Sequence, residues 1–259
     1  MFDVKNLSVS FADRTVLQDV SFSLEQGTVT ALLGANGSGK TTLLKAICGL
    51  VPHEGQCLLD GCDVDSLSHK EKARQVSYIP QRSGIAVELT ALEVVLMGFN
   101  PQLKLLQQPT KAMEETARRT LTELGIEPGK DYLTLSEGQK QLCMLARTMV
   151  SEAKLLLLDE PESALDLQNR YEMFARLRAW IKDRAVLAAL HDPQLALQMA
   201  DKLILLKDKK IYAVVSPGQD SLETMEQTLS GIYGSVRLHK IEDTIVMRKA
   251  PLCKGSWQP

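Results

Sequence analysis

One short segment constrains the fold of this chain more than any other. The apolar run Val29–Leu33 ends at Gly34, and Gly34-Ala-Asn-Gly-Ser-Gly-Lys40-Thr41 follows at once. This is the spacing G-x-x-x-x-G-K-[ST], which requires a strand, a tight loop and a helix in that order. The helix is expected over Leu43–Leu50. Glycines let backbone N–H groups converge on phosphate oxygens, and the N-terminus of the following helix favours anions. In such a loop Lys40 reaches the β- and γ-phosphates, Thr41 places its hydroxyl on Mg2+, and Thr42 donates to the α-phosphate. The alternative is an accidental glycine-rich turn, and five fixed identities between a strand and a helical run argue against it.

Three further apolar runs end on polar residues. Val76–Ile79 leads to Pro80-Gln81, Leu155–Leu158 to Asp159, and Val186–Leu190 to His191. Apolar runs without polar alternation suit strands covered on both faces, as in a parallel sheet. Ligands of such sheets gather beyond the carboxyl ends of the strands. Gly34, Gln81, Asp159 and His191 are therefore expected at one edge. A carboxylate at Asp159 can hold Mg2+ through water, and the adjacent Glu160 can polarise an attacking water. Taken alone, an acidic pair after an apolar strand is as often a solvated strand exit; the phosphate loop favours the functional alternative.

Composition limits the remaining choices. With 259 residues, 44% hydrophobic and 24% charged, the chain can fill a large α/β domain, and disorder as its main state is excluded. A net charge of -2 argues against a protein that coats nucleic acid. Cys48, Cys57, Cys62, Cys143 and Cys253 are scattered and form no C-x-x-C pair, so neither a zinc site nor a disulfide framework is expected. The opening residues lack the basic start and apolar run of a signal peptide, and no stretch approaches the ~20 apolar residues that span a bilayer. Work at a membrane would then need another chain as anchor.

Between the second and third apolar runs the pattern turns helical. Over Thr110–Leu124, Met113, Ala117, Leu121 and Leu124 share one face, Glu114 and Glu115 occupy the first turn, and Gly125 follows as a stop. A second helix starts at Ser136, where Ser136 and Gln139 match a capping box and Leu142, Leu145, Ala146 and Met149 follow at helical spacing. Residues 84–150 are read as a helical insert. Leu203–Leu206 with Ile211–Val215, and Val236–Met247 turning near Glu242-Asp243, suggest two hairpins. No internal repeat or low-complexity segment is present.

Leu135-Ser-Glu-Gly-Gln139 resembles the LSGGQ signature of ABC-type ATPases. The family's other motifs fall in the expected order. Gln81 resembles the glutamine loop, Ser163-Ala-Leu-Asp166 the D-loop after Glu160-Pro161, His191 the switch histidine, and Phe11 the aromatic residue that stacks on adenine. The resemblance covers about residues 2–215. It implies an α/β fold: a P-loop NTPase core with a mainly parallel sheet, an N-terminal antiparallel β part and a helical insert. The whole of 1–259 would be one such domain, with 216–259 as a C-terminal extension of unassigned role.

The same resemblance implies roles and partners. ATP and Mg2+ would be bound by Phe11, Gly34, Asn36, Gly37, Ser38, Gly39, Lys40, Thr41 and Thr42. Metal contacts would come from Thr41, Gln81 and Asp159. Glu160 would be the general base or water-positioning group; Gln81 would meet the attacking water, and His191 the γ-phosphate. Two copies would pair head to tail, so that Ser136, Gly138 and Gln139 of one face the γ-phosphate held by the other, while Ser163 and Asp166 communicate between the sites. A bland alternative is that Ser136 and Gln139 only cap a helix, and capping is compatible with anion contact. An aromatic residue such as Phe11 near a strand end is also often simple packing.

Two residues depart from the pattern. Glu137 replaces a signature glycine, and its carboxylate should point away from a triphosphate. Glu162 stands where the family often has threonine, beside Glu160.

A lone ATPase domain without membrane spans resembles bacterial importers, whose membrane subunits are separate chains. Leu92–Thr110, Tyr78–Gln81 and Leu190–Asp192 look like their equivalents in ATPases for iron–siderophore, haem and cobalamin uptake. A metal-chelate importer is therefore implied, bound peripherally at the cytoplasmic face of the membrane. Its partners would be a second copy, separate permease subunits and, through them, a substrate-binding protein; nucleic acid is not among them. Leu103, Leu105 and Leu106 near the glutamine loop would be either docking surface or core. A soluble ABC-type regulator is the competing interpretation, and a small-molecule P-loop kinase a third that the signature and D-loop disfavour.

Overall fold

A computed structural model describes residues 1–81, 84–104 and 106–250. Cys253 and Leu105, both singled out in the sequence, lie outside the described residues. The chain opens with strands β1 (Phe2–Phe11), β2 (Arg14–Leu24) and β3 (Val29–Gly34), then helix α1 (Lys40–Ile47). Strands β4 (Glu54–Leu59) and β5 (Cys62–Asp63), helix α2 (His69–Gln75) and strand β6 (Val76–Ile79) follow. Three helices come next: α3 (Ala91–Leu96), α4 (Lys111–Glu123) and α5 (Glu137–Met149). The chain then alternates through β7 (Leu155–Asp159), α6 (Leu167–Trp180), β8 (Ala185–Ala189) and α7 (Pro193–Met199). It closes with β9 (Lys202–Lys207), β10 (Lys210–Val215), α8 (Leu222–Tyr233), β11 (Val236–Ile241) and β12 (Thr244–Lys249).

Six strands form the central sheet in the order β10-β9-β3-β8-β7-β6. All neighbours pair in parallel except the β9–β10 hairpin at one edge. Both faces are covered, which explains the unalternating apolar runs. Leu156, Leu158, Val186, Ala188, Leu203 and Leu205 face a core shared with α3 to α8. Leu155, Leu157, Leu187, Ala189, Ile204 and Leu206 face the opposite core, with α1 and the antiparallel sheet β2-β1-β4-β5. Phe2, Val4, Leu7 and Val9 of β1 complete that second core.

The elements differ from the sequence expectations mainly at their ends. Helix α1 starts at Lys40 rather than Leu43 and stops at Ile47, because Gly49 turns the chain at φ 71°. Thr110 caps α4 from outside by accepting the Met113 N–H. Both hairpins form, with registers Lys210↔Lys207 and Ile241↔Thr244. Helix α8, capped by Ser221, lies between them, and its Met225 and Leu229 pack into the helix-side core. Leu103 is buried, whereas Leu106 is 92% exposed. Cys48, Cys57, Cys62 and Cys143 are free thiols, and burial pushes Cys57 and Cys143 up to about 12.

Gly98, in the segment after α3, lies against α5. A Cβ there would overlap the Arg147 carbonyl oxygen and come within 2.7 Å of Val150 Cγ2. Gly98→Ala is therefore expected to lower the unfolding free energy by about 1–3 kcal/mol in a denaturant titration. Gly129→Ala, which meets open space, should stay within about 0.5 kcal/mol of the parent. Equal stabilities would remove the close approach as the reason for glycine at 98.

Candidate functional site

Parallel register brings the ends of the central strands to one edge. Ile79 pairs with Leu158, Asp159 with Ala189, and Leu32 with Ala189. Gln81, Asp159, Glu160 and His191 therefore leave the sheet side by side, next to the loop that follows Gly34. Gln81, Glu160 and His191 line one cavity of about 370 Å3 with Asn36, Gly37, Ser38, Gly39, Lys40, Thr41 and Thr42.

The loop is built to present backbone donors. Gly39 holds φ 106°, and a Cβ there would strike Leu17 Cδ2 at 2.8 Å. It is the N-cap of α1 and provides no side-chain cap, so the first-turn N–H groups of α1 remain open towards the cavity. The Ser38 hydroxyl is buried without a hydrogen-bond partner among the described residues. A phosphate oxygen would satisfy both features. Lys40 is 6% exposed, and its Nζ donates to the carbonyls of Gly34 at 2.9 Å and Ala35 at 3.4 Å. Burial draws the Lys40 ammonium down from its usual value, and the carboxylates of Glu160, Asp159 and Glu162 oppose that shift.

Asp159 is buried at the end of β7. Its carboxylate accepts from Thr41 Oγ1 at 3.0 Å and from the Tyr78 hydroxyl at 3.1 Å. Burial and the Asp159 carboxylate raise the Tyr78 phenol well above its usual range. Thr41 and Asp159 thus present hard oxygen donors side by side, the ligand type that Mg2+ takes.

Glu160 adopts the left-handed region at φ 52°, an unusual conformation for a residue with a side chain. Its N–H still donates to Ala189 O at 3.0 Å, and its carbonyl accepts from Ser163 N at 3.1 Å. The turn aims the carboxylate into the cavity, where one oxygen meets His191 Nε2 and the other accepts from Gln81 Nε2. Glu162, also buried, accepts the His191 backbone N–H on Oε1 at 3.1 Å.

Other sequence candidates lie apart from this cavity. Phe11 ends β1, half exposed, opposite Arg14. It does not line the cavity; Arg14 and Val16 do. No motif marks these two residues, and only the β1–β2 pairing brings them to the loop. The contact of Tyr78 with Asp159 likewise has no sequence signal, since it arises from the pairing of β6 with β7. Ser136, Gly138 and Gln139 do not line the cavity either. Ser136 Oγ accepts Gln139 N, and Gln139 Oε1 accepts Ser136 N, both at 3.2 Å. Glu137 is exposed and pairs with Lys140 at 2.8 Å. A Cβ at Gly138 would meet Ala164 O at 3.1 Å, so the signature packs on the Ser163–Asp166 turn. Ser163 is exposed, and Asp166 caps α6 by accepting Asn169 N at 2.9 Å.

No helix among the described residues is long and apolar enough to cross a membrane. Residues 17–163, more than half of the chain, match the family described as ABC transporter. A "Probable iron chelatin transport ATP-binding protein" of Helicobacter pylori is 38% identical over 239 residues, which are 90% of this chain and 92% of that protein. A siderophore transport system ATP-binding protein of Bacillus subtilis is 33% identical over 218 residues, covering 82% and 79%. The fold resembles that of a metal-chelate type ABC transporter solved in an inward-facing conformation, with TM-score 0.78, 25% identity and 98% of each chain covered. The chain belongs to the ABC transporter family, as an ATP-binding subunit that hydrolyses ATP in support of transport.

Proposed function

We propose that this chain drives a metal-chelate importer, with an iron–siderophore, haem or cobalamin complex as cargo, from the cytoplasmic face of the membrane. Two copies pair head to tail on two ATP molecules, and their closure acts on separate permease subunits that receive cargo from a substrate-binding protein. The transport relatives named above support the cargo class. Residues 84–150 act as the helical subdomain that faces the second copy.

One arrangement carries the hydrolytic reading: the Glu160 carboxylate is gripped by His191 and Gln81 at the rim of the phosphate loop. Backbone N–H groups from Gly37 to Thr42 and the Lys40 ammonium hold the phosphates. Thr41, Asp159 and Gln81 hold Mg2+, which neutralises charge on the phosphate oxygens when bound. Glu160 takes the proton of the attacking water, because its left-handed turn carries the carboxylate into the cavity of the phosphate loop. His191 orients this carboxylate and reaches the γ-phosphate; Gln81 reports occupancy towards the permease. Phe11, half exposed and paired with Arg14 outside the cavity lining, is the aromatic residue offered to the adenine. Ser136, Gly138 and Gln139 complete the site of the other copy with the N-terminus of α5, and Ser163 and Asp166 link the two sites. With the Ser136 and Gln139 N–H groups taken by the capping box, the Glu137 and Gly138 N–H groups are the donors offered, and the Glu137 side chain, paired with Lys140, leaves them uncovered.

Lys40→Ala removes a charged phosphate contact and is expected to weaken ATP binding by about tenfold or more in a titration; unchanged affinity would refute the assignment. Glu160→Gln keeps ATP binding and lowers steady-state turnover by ~10²-fold or more. With Mg-ATP, that variant should co-purify a polytopic permease from membranes; recovery of soluble partners alone would point to a regulator. Ser136→Arg leaves ATP binding to the single chain intact and abolishes cooperative hydrolysis. Cooperativity retained by that variant would show that the signature does not face a second copy.

A further inference from the structure

We infer that Glu162 is a positioning residue for the Glu160–His191 pair, holding the histidine segment in place by accepting the His191 backbone N–H. The inference deepens the hydrolytic reading above and rests on it. Strand β8 ends at Ala189, and the Leu190 N–H still donates to Leu32 O at 3.1 Å. The His191 N–H is the next amide, and it leaves the sheet to meet Glu162 Oε1 at 3.1 Å. One residue later Asp192 caps α7 by accepting Gln194 N at 2.9 Å. The tether at Glu162 therefore fixes the one backbone unit between sheet and helix from which the imidazole reaches Glu160.

The position of Glu162 in the chain makes this tether short and stiff. It follows Glu160 and Pro161 in the turn closed by Ser163 N to Glu160 O and Leu165 N to Glu162 O, each 3.1 Å. The same turn thus carries the carboxylate that His191 meets and the carboxyl that holds His191. Glu162 is 3% exposed, and its Oε2 is buried without a hydrogen-bond partner among the described residues. A buried carboxylate with an empty oxygen next to Glu160 would be costly. Burial raises the Glu162 carboxyl above its ordinary value, opposed by its own backbone N–H, the His191 N–H and the His191 side chain, with Glu160 adding a smaller rise. Burial thus favours the uncharged form of Glu162, in which the oxygen that meets the His191 N–H remains an acceptor.

The test compares Glu162→Gln, which keeps a neutral carbonyl acceptor of the same length, with Glu162→Met, which fills the space without one. Two readouts apply to the full chain: amide exchange at His191 by NMR without nucleotide, and ATPase kcat and KM. Glu162→Gln should match the parent in His191 exchange and stay within about threefold in kcat. Glu162→Met should speed His191 exchange and lower kcat, each by about tenfold, with KM for ATP within about twofold. A Met variant that matches the parent in both readouts overturns the inference. So does a Gln variant as impaired as Met, since a neutral acceptor would then not suffice, and this arm decides even if the Met variant fails to fold. A parent chain without turnover would overturn the hydrolytic reading itself and the inference with it.

Discussion

Strands β3, β7 and β8 are dry on both faces, and that single constraint organises the site. Their side chains alternate between two apolar cores, so no polar side chain can hang from the middle of a strand without losing water on either side. Polar groups are displaced to the carboxyl ends, where the backbone ladder stops and solvent begins. Parallel pairing then brings those ends together, because each strand finishes at the same level as its neighbours. Gly34, Gln81, Asp159 and His191 are distant in sequence and adjacent in space for this reason.

Crowding at that edge creates an electrostatic problem which the local geometry answers piecewise. Asp159, Glu160 and Glu162 bring three carboxyl groups within four residues, all of them buried. Asp159 is held by two hydroxyl groups, from Thr41 and Tyr78. Glu160 has one partner on each oxygen, Gln81 and His191. Glu162 accepts the His191 backbone N–H, and burial favours its acid form. Lys40 supplies the nearby positive charge, itself held by two loop carbonyls. Three neighbouring carboxyl groups thus meet three different environments, which set their proton affinities apart.

The elements outside the sheet tie these residues to the rest of the molecule. Gly138 at the start of α5 rests on Ala164, in the turn that begins at Glu160. The C-terminal hairpin is fixed to α7 by Gln194, whose amide donates to Ile245 O at 2.8 Å and accepts Met247 N at 2.6 Å. Tyr233 at the end of α8 sits near Gly34 and Asp192, and burial together with Asp192 pushes its phenol up to about 12. Residues 216–250, which carry no motif, are therefore packed against both the phosphate loop and the segment after His191.

The sequence alone determined the phosphate loop, the apolar strands, the ends of those strands and the capping box at Ser136. Each is a local statement: glycine spacing, unalternating apolar runs and a serine three residues before glutamine follow from backbone conformation and burial within a short window. The order of further motifs carried the family resemblance. Tertiary structure decided the rest. Arg14 and Val16 reach the cavity only because β2 pairs with β1, which leaves Phe11 outside its lining. Tyr78 reaches Asp159 through the β6–β7 register, and Glu162 reaches His191 across the gap between β7 and β8. Helix α8 sets Met225 and Leu229 into the helix-side core, with Leu222, Ile232 and Tyr233 packed against it. These contacts join residues far apart in the chain, and such pairings depend on sheet order and register, quantities that no local window contains.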